Sequence, residues 1–305
     1  MEDNLFYFNL KVDCEATQGS ISDPALGERA VRGIEDILEK TGMKASFMVI
    51  PRDIGIHRHI YRGLEKKGHE IGLHVHPSDQ GYAEFLGVCG FEEQVKILGE
   101  AMDIFSQAMG KRPAGFLPGY HSANDHTFPA AVEVGLRHGA VSCPTRNLPQ
   151  CACIWGNSPL DIHYPHRCNR SLTGNLDFVE IPPTIDPDSR MWGGGHPQDL
   201  RIELVDAKNH WYTMEKSVNR QLGDKNIQVR YLMATTHNIF EYGDSANFRR
   251  ETLLKVIAAA KKIVADRGCV LVPATIASIA DEYRRLTPLP SEGINLRLDV
   301  RGRNP

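Results

Sequence analysis

Two hydrophobic periods alternate along the chain. Leu5 to Val12, Ala45 to Ile50, Glu70 to Val75 and Ala114 to Pro118 are short, mostly apolar runs, the pattern of strands buried on both faces. Segments of helical spacing lie between them. Asp23-Pro24 opens the first with a proline just inside its start; Val31, Ile34, Ile37 and Leu38 follow at the helical period, and Thr41-Gly42 ends it. A short helix is predicted over Tyr61 to Lys67 ahead of Gly68, and a long amphipathic one over Phe91 to Met109 ahead of Gly110. Further strands are predicted at Ala140–Cys143, Phe178–Ile181, Gln228–Thr236 and Val270–Pro273, with a helix near Arg249–Ala265 before the last. Such alternation implies parallel βα units, and seven or eight of them in one chain favour a barrel over an open sheet. Residues 1–286 are then a single α/β domain, and residues 287–305 a tail laid over its surface.

Two stretches break the alternation. Residues 144–177 are rich in Pro, Asn, His and Cys, and residues 184–200 hold Asp186-Pro187-Asp188 and Gly193-Gly194-Gly195-His196-Pro197. Long loops in a compact domain are more often functional than idle. Loops 144–177 and 184–215 carry His163, His166, Arg167, Arg170, Arg190, Trp192, His196 and Trp211. These either grip a polar, carboxylated substrate at a barrel mouth or form ordinary surface or an oligomer contact.

Composition narrows the partners. The 305 residues are 41% hydrophobic and 24% charged, an ordinary globular balance. A net charge of −3 offers no basic surface for nucleic acid or an anionic membrane. No apolar run approaches the roughly 20 residues that span a bilayer. The acidic start, Met1-Glu2-Asp3-Asn4, lacks the basic opening of a secretory signal, so a cytoplasmic location is expected. Seven scattered cysteines, an odd count, fit reduced thiols. Cys151-Ala-Cys153 lacks the second pair of a structural zinc site.

Catalytic side chains of barrels and open α/β sheets sit at the carboxyl ends of strands. The first strand closes on Asp13-Cys14-Glu15, whose two carboxylates share a side of an extended chain and repel unless a cation or proton lies between them. The third closes on His74-Val75-His76; these also share a face, and imidazole suits zinc and related ions. The run Tyr231 to Thr236 closes on His237. His69 precedes its strand and is expected to be structural. A solvated acid pair and packed histidines are the bland alternative for each signal alone; their convergence on one rim favours chemistry.

Four segments resemble the polysaccharide deacetylases of carbohydrate esterase family 4. Ile37 to Phe47 is similar to that family's second βα unit, Gly68-His69-Glu70-Ile71-Gly72-Leu73-His74 to its metal-site strand, Arg112-Pro113-Ala114-Gly115-Phe116-Leu117-Pro118-Gly119-Tyr120 to its arginine–proline–tyrosine strand, and Asp13-Cys14-Glu15 to its D-x-D/E variant. The likeness runs over roughly residues 5 to 240. It implies an irregular (β/α) barrel and a metal-dependent hydrolase that removes N- or O-acetyl groups, some relatives opening cyclic amides. It implies Asp13 as catalytic base, Glu15 and His74 as ligands of a divalent metal (zinc first, then cobalt or manganese), and His237 as the acid that protonates the leaving group. The backbone N–H of Tyr120 is expected to help hold the oxyanion. The family's second metal histidine falls at Ser78, which leaves His76 as the candidate third ligand. The arginine that orients the base falls at Leu117, so the base needs another holder.

Rival readings are weaker or different in kind. No G-x-S-x-G elbow occurs for a serine nucleophile, and Gly193-Gly194-Gly195 does not join a strand to a helix as a dinucleotide loop would. A catalytically silent barrel that binds a carbohydrate or peptide, and a hydrolase of cyclic ureides or imides, both remain. The expected partner is a small-molecule or oligosaccharide substrate, with no nucleic acid, no membrane, and homo-oligomerisation left open.

Overall fold

The computed structural model describes residues 4–191, 194–204 and 206–293. Of the expectations above, Met1–Asp3, Trp192, Gly193 and the tail beyond residue 293 lie outside them. Eight strands make the main sheet: β1 (Leu5–Cys14), β2 (Ala45–Val49), β3 (Glu70–Val75), β4 (Gly115–Pro118), β5 (His138–Gly139), β6 (Val179–Glu180), β7 (Tyr231–His237) and β8 (Val270–Pro273). The helices are α1 (Pro24–Thr41), α2 (Pro51–Lys66), α3 (Phe91–Met109), α4 (Thr127–Glu133), α5 (Ala207–Gly223), α6 (Phe248–Ala265) and α7 (Ile276–Leu286).

All the pairings in this sheet are parallel, in the order β6-β5-β4-β3-β2-β1-β7, with β8 also on β1. Tyr7 faces both Tyr231 and Val272, and Leu10 both Ala234 and Ala45, so β8 and β2 share one edge of β1 in succession. The sheet curls into the expected irregular (β/α) barrel. Its seam between β6 and β7 is laced by Tyr231 Oη to Pro182 O at 2.6 Å, Met233 N to Thr184 Oγ1 at 2.9 Å and Thr235 N to Leu200 O at 3.0 Å.

The period-2 alternation of β1 sorts its residues. Phe6, Phe8, Leu10, Val12 and Cys14 pack in the large core beneath the helices. The alternate positions Asn9, Lys11 and Asp13 point inside and are buried. A second apolar cluster, including Met48, Leu117, Val179, Tyr231 and Met233 with Ile276 and Ile279 of α7, fills the barrel interior.

Three local expectations are corrected. The fifth strand is His138–Gly139 rather than Ala140–Cys143, because the chain leaves the sheet where Val141 N and Ser142 N turn to the buried Glu180 carboxylate at 3.0 and 2.8 Å. Helix α2 begins at Pro51 rather than Tyr61; its buried stripe carries Asp53 and His57, which hid the apolar period. The segment read as loop to residue 215 is a hairpin, Ile185–Met191 with His196–Asp199, followed from Ala207 by α5. All seven cysteines are free, as their count implied.

Candidate active site

The carboxyl ends of β1, β3 and β7 meet at one rim. Asp13 and His237 are direct cross-strand partners, and so are His74 and Leu117. Glu15 Oε2 lies 3.3 Å from His74 Nε2 and 3.0 Å from His76 Nε2, and the two Nε2 atoms are 3.1 Å apart. The far nitrogens are engaged elsewhere: His74 Nδ1 meets Leu117 O at 3.0 Å, and His76 Nδ1 meets Glu84 Oε1 at 3.2 Å. His76 Nδ1 also lies 3.1 Å from the Gln18 Nε2 amide; with both Nδ1 atoms donating, to the Leu117 carbonyl and the Glu84 carboxylate, both Nε2 atoms present lone pairs toward a carboxylate oxygen. Three acceptors facing one another repel unless something positive joins them. Their ligand atoms lie within 4.8 Å of one another, and the nitrogen–nitrogen–oxygen donor set fits zinc and related divalent ions.

His76 reaches this point because Gly119 leaves room. A Cβ on Gly119 would lie 2.6 Å from His76 Cε1. Ser78 sits one turn further on, in the short 3₁₀ segment Pro77–Gln80.

Lys11 holds the Asp13 carboxylate. Its Nζ donates to Asp13 Oδ1 and Oδ2 at 2.9 and 2.8 Å from full burial. Leu117 itself offers only its carbonyl to the site, its side chain lying in the interior apolar cluster. Burial would raise the Asp13 pKa, but the Lys11 ammonium, then His237 and His74, hold it below the usual carboxylate range.

His237 is braced from behind. Its Nδ1 meets Glu203 Oε1 at 2.6 Å, while Nε2 faces Asp13 Oδ2 at 3.7 Å and Glu15 Oε1 at 3.8 Å. Burial would lower its pKa; Glu203, then Glu15 and Asp13, raise it above the ordinary value. Arg201 ties Glu203 to Asp199 at 3.3 and 3.5 Å. Behind β1, Asn238 Oδ1 accepts from Glu15 N and Ala16 N at 2.8 and 2.9 Å, and its Nδ2 donates to buried Asp53 at 3.1 Å.

Tyr120 adopts a left-handed backbone, φ 59° and ψ 8°, at the end of β4. Its ring meets those of His76 and Phe85 at 5.3 and 5.2 Å. A cavity of about 360 Å³, lined by Asp13, Glu15, His74, His76, Tyr120 and His237 among others, opens over the cluster. All six residues singled out from the sequence line it.

The loop candidates fare differently. His163 and His196 are buried, His196 on Asp199 at 3.0 Å. Arg170 pairs with Asp125 at 3.0 Å and covers Trp155; Arg190 Nη1 donates to Pro187 O at 2.5 Å. Trp211 packs against the core from α5. The cations that do line the cavity are Arg146 and Arg201. Lys11 was legible as the i−2 member of a polar Lys11-Asp13-Glu15 stripe in an apolar strand. Glu203, Arg201 and Asn238 carry no local signal, because the seam crossing that delivers the first two is a tertiary event.

In class, the protein is an irregular (β/α) barrel with one acid–imidazole rim. Residues 23–139 match the polysaccharide deacetylase family model, the family that the motifs resemble. The fold is similar to that of a structure from Mycobacterium smegmatis described as a candidate polysaccharide deacetylase, 16% identical with a TM-score of 0.63, covering 97% of this chain and 96% of that one. It is also similar to Puue allantoinase, at 11% identity and TM-score 0.62 over 94% and 92% of the two chains. A candidate polysaccharide deacetylase from Pseudomonas aeruginosa PAO1 is 13% identical with a TM-score of 0.57, over 94% of each chain. No curated protein matches the sequence. Among the described residues no helix is long and apolar enough to cross a membrane.

Proposed function

We propose that the chain is a metal-dependent hydrolase of a carbon–nitrogen (amide) bond in a small non-peptide substrate or short oligosaccharide, such as an N-acetylated sugar. The convergence of Glu15 Oε2, His74 Nε2 and His76 Nε2 within 4.8 Å carries this reading. These three side chains would hold the ion, zinc before cobalt or manganese. Bound there, a divalent cation supplies an acidified water and polarises the substrate carbonyl. Asp13, kept ionised by Lys11, takes the proton of the attacking water. The Tyr120 N–H helps hold the oxyanion. His237, kept protonated by Glu203, gives its Nε2 proton to the departing amine, a poor leaving group without it. Asn238 fixes the backbone at Glu15 and so aims that ligand.

A second reading, opening of a cyclic ureide or imide, is favoured by the modest cavity of about 360 Å³ and the fold likeness to Puue allantoinase. Assays of acetylated amino sugars and cyclic ureides with chelated, metal-reloaded and His74→Ala protein test both. Expected are one ion per chain, turnover lost on chelation and restored by Zn²⁺, Co²⁺ or Mn²⁺, and neither ion nor turnover in His74→Ala. Turnover indifferent to chelation and to that substitution removes the metal role. Ligand binding without metal or turnover assigns a silent barrel instead.

A further inference from the structure

Arg146 is a buried cation for which the described residues supply no counter-charge. It is 6% exposed and lines the cavity that also holds Glu15 and His237. Its Nη1 donates to Tyr120 O at 2.9 Å, and its Nε has no hydrogen-bond partner. The neighbouring cations are matched: Lys11 by Asp13 at 2.8 Å, Arg201 by Glu203 at 3.3 Å. Burying an unpaired charge is costly, so a site that keeps one receives its counter-ion from outside. His121, in the same wall, is held well below its ordinary pKa first by burial and then by Lys11, Arg146 and Arg201.

We propose that Arg146 reads a carboxylate on the substrate, which is therefore a small acidic amide seated between this guanidinium and the Glu15–His74–His76 cluster. The inference rests on the amide-hydrolase reading for the bond that breaks, but not for the charge that is read. A guanidinium fork matches a carboxylate in geometry. One unpaired arginine balances one negative charge, where a phosphate would bring close to two beside the acids Asp13, Glu15 and Glu203. The cavity, about 360 Å³, limits the ligand to the size of an amino acid or a single sugar.

The test separates charge reading from catalysis. Metal-free protein is titrated by calorimetry, at constant ionic strength, with N-acetylglycine and with its neutral counterpart N-acetylglycinamide. Wild type is expected to prefer the acid by roughly ten- to a hundredfold. Arg146→Met is expected to erase the preference, and Arg146→Lys to keep part of it. Equal binding of the two probes, binding of neither, or an acid preference that survives in Arg146→Met overturns the proposal. So does loss of the preference in Met and Lys variants alike, which would assign Arg146 only to holding the Tyr120 carbonyl. An intact preference in a protein that hydrolyses no amide would overturn the hydrolase reading and leave this one standing.

Discussion

Two carboxylate–imidazole contacts sit at opposite ends of the same sheet, and they differ in whether their hydrogen bonds close. At the amino ends, Glu70 Oε1 meets His138 Nε2 at 2.6 Å, and Oε2 accepts from Ser46 Oγ at 2.7 Å and Ala277 N at 2.9 Å. Each oxygen faces a donor, so the group is complete and ties β2, β3 and β5 to α7. At the carboxyl rim, Glu15 Oε2 faces two Nε2 atoms whose rings already spend their Nδ1 positions elsewhere. Identical residue types thus make a closed clamp at one end and a group short of positive charge at the other. Residue identity does not separate structure from chemistry here; the donor count does.

The largest effect that would sharpen this contrast is on rate. His237→Ala is expected to lower kcat on an amide by about 10²–10⁴. On an activated aryl acetate, whose leaving group needs no proton, the loss should be much smaller. Equal losses on both substrates would take the acid role from His237.

Next comes the closed clamp. Glu70→Ala leaves His138 and Ser46 facing a void and should cost about 3–5 kcal/mol in denaturant unfolding, with bound metal per chain unchanged. A loss of metal alongside stability would show that the two ends are coupled.

A third prediction concerns acid stability away from both ends. Burial lowers the His163 pKa from the ordinary 6.5 to about 4; Nδ1 meets Asp161 O at 2.9 Å and Nε2 has no partner. The unfolded chain therefore binds the proton more readily than the native one between these values. Stability should fall as pH drops from about 6.5 to 4, by about 3 kcal/mol from this residue. His163→Asn, which can still donate to the Asp161 carbonyl, should flatten that part of the curve; an unchanged slope would remove His163 as its cause.

The smallest expected effect is on metal affinity. Asn238→Ala frees the Glu15 and Ala16 N–H groups and should weaken the ion about 10–100-fold, read by competition with a chelating dye. Unaltered affinity would mean that Glu15 is aimed by β1 alone.

How much of this was legible beforehand follows from what acts locally. The limits of β3 and β8 and of α1 and α3 coincide with the sequence pattern, because caps such as Gly42 and Gly110 and unbroken periods set them. Periodicity failed at α2, where Asp53 and His57 occupy core-facing positions and satisfy each other and Tyr61 at 2.6 and 2.7 Å. It failed again at Ala140, where Glu180 draws the backbone off the sheet. Both misses are buried polar networks, and a polar residue with a distant partner looks exposed in one dimension.

The sequence by itself determined the strands that end in Asp13, Glu15, His74, His76 and His237, since alternation and strand length are properties of neighbouring residues. Only the tertiary structure decided what surrounds them: Lys11 under Asp13, Glu203 behind His237, Asn238 beneath Glu15 and Arg146 without a counter-charge. Those pairings depend on how the barrel closes across its seam, and the electrostatic demand of a buried charge exists only once burial has removed the water that would otherwise meet it.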